Sequence, residues 1–146
     1  MISIKEMLSG KSAELFAVAP TALVSEALQM LATRKIGALL VVDDGKLVGI
    51  LSERDCAIKV ALPGKSAEQT RVSEIMTSDV ITVDPRQPLE DCMSEMHARD
   101  IRHLPVVEGG RAVGMVSIGD VSREMFSLQK KLIAQLESYI HGSFSV

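Results

Sequence analysis

Apolar positions in this chain fall into rhythms that occur twice. Val24, Ala27, Leu28 and Leu31 recur at steps of three and four, and Leu89, Cys92, Met93 and Met96 repeat those steps. That is the period of one helix face, so each set predicts a helix burying one side. Next comes Ile36-Gly37-Ala38-Leu39-Leu40-Val41-Val42, an unbroken run that reads as a strand covered on both faces. Asp44-Gly45, and Gly109-Gly110 at the same place in the second set, predict tight hairpins of type I′. Return strands follow over 47–51 and 112–116. Short strands are expected at 15–18 and 80–83, each running into an x-Pro pair that disfavours helix. Pro88 suits a first helical position, with Glu90 and Asp91 in the first turn. A further helix opens after Ser52 and after Ser117.

These rhythms are one unit written twice. Shifting the chain by 65 aligns residues 18–60 with 83–125 without a gap, and 12 of the 43 pairs are identical, Gly49/Gly114, Ser52/Ser117 and Asp55/Asp120 among them. Upstream, IKEMLS at 4–9 resembles VSEIMT at 72–77, with three extra residues in the first copy before its proline. The predicted order is β-α-β-β-α, twice, an α/β (α+β) chain. The plan is a first unit over 1–64, a polar linker KSAEQTR over 65–71, a second unit over 72–126 and a C-terminal helix extension over 127–146. Leu62-Pro63-Gly64 ends the first unit's last helix. The second unit's last helix runs on: Val121, Met125, Leu128, Leu132, Leu136 and Tyr139 or Ile140 hold an apolar stripe, and Gly142 suits its C-cap. Such a stripe calls for a partner surface, either the first repeat or a second subunit.

Composition narrows the function classes. Of 146 residues, 47% are apolar, 24% charged and 3% aromatic, with no Trp. The core is therefore aliphatic, and a stacking platform for single-stranded nucleic acid is not expected. A net charge of −3 without a basic tract argues against nucleic acid. The N-terminal MISIKEML lacks the apolar core of a signal peptide, and no apolar run could span a bilayer, so a cytoplasmic protein without membrane partners is expected. Cys56 and Cys92, 36 apart and outside any CxxC, read as buried free thiols. GKSAE at Gly10 and Gly64 looks like part of a P-loop, but Lys5 and Lys59 stand where that loop needs glycine. No catalytic or metal-ligand spacing is present.

A β-α-β-β-α unit with a D-G hairpin and a closing G-h-h-S-x-x-D, as in GILSERDC (49–56) and GMVSIGDV (114–121), resembles the CBS domain. IRHLPVV (101–107) is similar to stand-alone CBS-pair proteins of bacteria and plant organelles. The resemblance covers nearly the whole chain and implies a Bateman module. In such a module two CBS repeats pack about a pseudo-twofold axis and leave two clefts. It also implies a likeness to homodimers, to clefts that take AMP, ADP, ATP, NAD(H) or S-adenosylmethionine, and to a domain without catalysis.

An adenosyl ligand presents a base, a ribose diol and usually phosphates. A carboxylate can accept both hydroxyls of the diol. By resemblance Asp55 and Asp120 take that role, and Ser52 and Ser117 donate to ribose or phosphate oxygens near a helix start. Ser-x-x-Asp is equally a capping box, and one carboxylate can serve in both ways. Ile118 and Gly119 lie inside the second motif. Arg102 and His103 are the phosphate candidates of the second copy. Gly37 and Ala38 replace them in the first, so the clefts should differ, with Arg54 a compensating cation. Ile36, Ala38, Ile101, Leu104 and Pro105 are candidates for the base, and Thr82 and Ala17 for the cleft wall; each could instead be core. Two functions follow. One is a sensor of an adenine nucleotide or dinucleotide that signals to an effector protein. The other is an interaction scaffold with degenerate clefts, an alternative that similar plant proteins linked to thioredoxin regulation keep open.

Overall fold

A computed structural model describes residues 2–11 and 14–144, with side chains placed to residue 142. In chain order the elements are α1 (Ile4–Ser9), β1 (Ala17–Val18), α2 (Val24–Arg34), β2 (Ala38–Asp43), β3 (Lys46–Ser52), α3 (Glu53–Cys56), α4 (Val72–Ile75), α5 (Leu89–Arg99), β4 (His103–Glu108), β5 (Arg111–Ser117) and α6 (Ile118–Phe144). A π-helical turn, Ala57–Ala61, continues α3. The strands form one five-stranded sheet in the order β1-β2-β3-β5-β4. Its halves meet at Lys46 opposite Arg111; β1–β2 is parallel, and β2–β3, β3–β5 and β4–β5 are antiparallel.

The repeat is visible in detail. Both hairpins turn on residues with positive φ, Asp44-Gly45 and Gly109-Gly110, as type I′ requires. Both carry a bulge at the same point, between Val41 and Val42 and between Val106 and Val107. The first four residues of β2 are buried, as its apolar run implies. Some expectations shift. Strand 15–18 shortens to Ala17–Val18, and strand 80–83 reduces to one bridge, Val83 to Val106. There Val83 N–H donates to the Pro105 carbonyl at 3.0 Å and Val107 N–H to the Val83 carbonyl at 2.9 Å, so pairing exists without a continuous ladder. Pro88 is the N-cap rather than the first helical residue, with extended ψ 150. Leu28 and Met93 lie at the margin of their helix faces, 37% and 39% exposed. α6 passes through Gly142, which is therefore not its C-cap.

Packing crosses the repeats. One core gathers Val24, Ala27, Leu31, Leu39, Val41, Leu51, Cys56 and Val60 from the first copy with Val72 and Ile75 of α4. The other gathers Val83, Leu89, Cys92, Met96, Leu104, Val106, Val116 and Val121 with Ile4 and Met7 of α1. Each copy's opening helix thus caps the other copy's core. Backbone bonds repeat the exchange: Ile4 N–H to the Gln87 carbonyl at 2.9 Å and Lys5 N–H to Pro85 at 2.8 Å match Val72 to Ala22 at 2.8 Å and Ser73 to Pro20 at 2.9 Å. Residues 65–71 pack against the start of α2: Thr70 is buried, and its carbonyl takes the Val24 N–H at 2.8 Å.

The same crossing explains the shared glycine of each G-h-h-S-x-x-D. A Cβ on Gly49 would sit 2.6 Å from Met76 Sδ and 3.0 Å from the Thr77 carbonyl oxygen, and one on Gly114 3.0 Å from Leu8 Cδ2. Each strand leaves out a side chain where the exchanged segment passes over it.

Among the described residues no helix is long and apolar enough to cross a membrane.

Candidate functional site

Two clefts open where β3 runs into α3 and β5 into α6. Both are closed by a capping box. In the second copy Asp120 N–H donates to Ser117 Oγ at 3.1 Å, and Ser117 N–H donates to Asp120 Oδ2 at 2.8 Å. In the first copy Asp55 N–H donates to Ser52 Oγ at 3.1 Å, while Ser52 N–H and Oγ each donate to Asp55 Oδ2 at 3.0 Å. Local sequence dictates this, because Ser and Asp three apart satisfy the helix's orphan N–H groups reciprocally. The caps do not exclude a ligand role, since both aspartates line cavities.

The Asp120 cleft has a volume of about 540 Å³, within the usual range for small-molecule sites. One wall is apolar, built from Leu8, Leu15, Phe16, Ile36, Ala38, Leu40, Val113 and Met115. The rest carries Lys11, Lys35, Arg102, Arg123 and His103 together with Glu14 and Asp120. Asp120 is the hub. Its side chain is 4% exposed, Lys11 Nζ reaches Oδ2 at 2.7 Å and Arg123 Nη2 reaches Oδ1 at 2.7 Å. Burial alone would raise its pKa. The Lys11 ammonium and the Ser117 donors outweigh burial and hold the carboxyl below its ordinary value.

The Asp55 cleft, about 580 Å³, is more acidic and less apolar. Arg54 and Arg102 face Glu53, Asp55 and Asp100, and the apolar lining is Ile50 and Ile101. Asp55 is held by Lys59 Nζ at 3.0 Å and by Thr77 Oγ1 at 3.4 Å.

Most sequence candidates meet in these clefts. Ile36, Ala38, Arg102, His103, Ser117, Ile118, Gly119 and Asp120 line the first, and Ser52, Arg54, Asp55, Ile101, Arg102 and His103 the second. Pro105, Leu104, Thr82 and Ala17 line neither. Pro105 and Leu104 are buried core, Thr82 is exposed, and Ala17 is taken up by strand pairing with Leu40. Arg102 and His103, expected to serve the second copy alone, line both clefts. Residues that sequence reading missed supply most of the Asp120 cleft's character. Arg123 was within reach, being three residues beyond Asp120 on a helix. Lys11 belongs to the GKSAE that fails as a P-loop, and its partner lies 109 residues away. Phe16, with Arg34 stacked 5.4 Å from its ring centroid, gave no periodic signal.

Burial pushes the Cys56 thiol up, with Asp55 and Glu53 adding to it, and pushes Cys92 to about 11. Both stay protonated and unreactive at neutral pH.

A family model for the CBS domain matches residues 4–61 and again 72–127. The chain belongs to the CBS-domain family. It is a tandem CBS pair. The pair is 36% identical over 126 residues to the mitochondrial CBS domain-containing protein CBSX3 of Arabidopsis thaliana, covering 83% of this chain and 61% of that one. The chain thus spans less than two thirds of that relative's length. A protein with CBS domains from Burkholderia ambifaria superposes with a TM-score of 0.82 at 39% identity, covering 86% of this chain and 95% of that one. The CBS domain pair of protein MJ0100, solved with 5′-methylthioadenosine and S-adenosyl-L-methionine, gives a TM-score of 0.77 at 30% identity, covering 87% and 98%.

Proposed function

We propose that this CBS pair is a sensor that binds an adenosine-containing ligand carrying phosphate in the Asp120 cleft and passes its state to a partner protein. AMP, ADP, ATP and NAD(H) share the chemistry required. The observation that carries the reading is the gathering, in one cleft, of an apolar wall, a buried carboxylate and four Lys or Arg side chains. The base would lie on the wall of Phe16, Ile36 and Met115. The ribose diol would take Asp120 over from Lys11 or Arg123, and the freed cation would turn to the phosphate, a charge-assisted pair. The adenosyl ligands of MJ0100 support the adenosine part. No chemical step is involved; the ligand shifts a conformational balance by its differential affinity.

The test is thermal unfolding with AMP, ADP, ATP, NAD, NADH and S-adenosylmethionine. A phosphate-bearing ligand at 100 times its dissociation constant should stabilise the fold by about 2.7 kcal/mol. S-adenosylmethionine, which brings a cation into a basic cleft, should do less. No shift with any of them would turn the reading toward a scaffold.

The surface offered to a second copy of the chain is α6, about 40 Å long for its 27 residues. Phe126, Leu128, Leu132, Ile133, Leu136 and Ile140 are each at least 41% exposed. At roughly 100 Å² apiece, pairing with a second copy would bury on the order of 1,200 Å², enough for a specific interface. We therefore read α6 as a homodimer contact. A chain ending at Ser127 should sediment as a monomer with the fold intact, and the full chain as a dimer; a monomeric full chain overturns this reading.

A further inference from the structure

We propose that the two clefts compete for one phosphate-binding wall: Arg102, with His103 beside it, serves both, so a phosphate bound in either cleft weakens phosphate binding in the other. This rests on the nucleotide-sensor reading and adds the regulation of the site.

Gly37, Arg102 and His103 line both clefts. Under the repeat, Gly37-Ala38 stands where the second copy has Arg102-His103. A perfectly repeated chain would give each cleft its own Arg-His pair. This chain has one pair for two clefts. Gly37 leaves the His103 ring room beside it: a Cβ there would lie 3.2 Å from Cε1 and 3.3 Å from Nε2, close enough to displace the imidazole by a few tenths of an ångström.

His103 accordingly feels charge from both sides. Burial dominates and lowers its pKa, while Asp120 and Lys11 act on it from one cleft and Glu53 from the other. The Arg102 backbone is tethered, its carbonyl taking the Ile118 N–H at 2.9 Å, while its side chain is exposed. One guanidinium grips one phosphate in its fork at a time.

The clefts do not need the wall equally. Without Arg102 the Asp120 cleft keeps Lys11, Lys35 and Arg123, whereas the lining of the Asp55 cleft keeps Arg54 against Glu53, Asp55 and Asp100, with Lys59 outside that lining and paired to Asp55. Phosphate in the Asp55 cleft therefore leans more heavily on Arg102, and filling the Asp120 cleft first takes it away. Linkage makes the penalty mutual. Adenosine, which has no phosphate, should feel none of it.

Isothermal titration with AMP and with adenosine tests this, on wild type, Asp120→Asn and Arg102→Gln with Asp120→Asn. Asp120→Asn disables the tighter cleft and isolates the Asp55 cleft. The expected result is that AMP binds the Asp55 cleft roughly tenfold more tightly in Asp120→Asn than in wild type with the other cleft filled. Adenosine affinity for that cleft should be equal in the two proteins. Adding Arg102→Gln should remove the AMP gain. Equal AMP affinity in wild type and Asp120→Asn overturns the coupling and leaves the sensor reading standing. So does a single binding event in wild type with none in Asp120→Asn, which would mean the Asp55 cleft takes no nucleotide. No binding of AMP or adenosine to any protein overturns the sensor reading itself, and the coupling with it.

Discussion

Asp120→Ala should cost the pair at least tenfold in affinity for its phosphate-bearing ligand and about 1–3 kcal/mol of stability, the range for a lost cap and a stranded buried donor. Three donors converge on that carboxylate. Ser117 N–H at 2.8 Å loses its acceptor, and Lys11 and Arg123, each at 2.7 Å, lose their counter-charge. Lys11 and Arg123, 39% and 74% exposed, regain water, so the stranded Ser117 N–H and the lost cap carry most of the cost. Asp120→Asn should recover much of the cap, because an amide oxygen still accepts from Ser117, but not the binding, because the charge is gone. Urea unfolding reads the first effect and ligand titration the second. If both variants bind as wild type does, Asp120 is a cap and nothing more.

Acid gives a second readout of the same group. Asp120 is held below its ordinary value of 3.8. Its contribution is therefore fully present above pH 3.8 and is lost as pH falls through the folded-state value. The acid limb of the stability profile below about pH 4 should be shallower in Asp120→Ala than in wild type.

Ile4→Ala should have the largest effect on the fold, about 2–5 kcal/mol, the range for truncating a large buried aliphatic side chain. Ile4 is 0% exposed and sits with Leu89, Leu104 and Val116, all of the second copy. Against a total stability of roughly 5–15 kcal/mol, that is a large share. The exchange of opening helices sharpens the expectation. A chain of residues 72–127 alone lacks Ile4 and Met7, and its own α4 has no first-copy core to cover. It should show no cooperative unfolding by circular dichroism, whereas residues 2–127 should. A stable, cooperative 72–127 chain would mean that the crossing of α1 contributes little.

The two expectations differ in how far the sequence reveals them. Ser117 and Asp120, three apart, announce their capping box, because every atom of that motif lies within one turn of chain. Asp44-Gly45 and Gly109-Gly110 announce their hairpins for the same reason, since only a few backbone angles are at stake. The period of Val24, Ala27 and Leu31 fixed which face of α2 is buried, and the 65-residue repeat fixed the order of elements. Where local pairing was weak, reading failed: 80–83 has β-type residues but no continuous neighbouring edge, and Gly142 could not stop a helix that continues past it.

Local geometry and its repetition thus follow from the order of residues alone. Which surfaces meet follows from the folded chain. The likeness of IKEMLS to VSEIMT marks two equivalent segments but not what they pack against, and nothing nearby shows that Ile4 and Met7 cover the other copy's core. Lys11 finds Asp120 across 109 residues, and Arg102 and His103 turn out to belong to two clefts. The reason is physical. Caps, turns and helix faces depend on atoms a few bonds apart along the chain, whereas a cleft's charge depends on the path by which distant segments return to it.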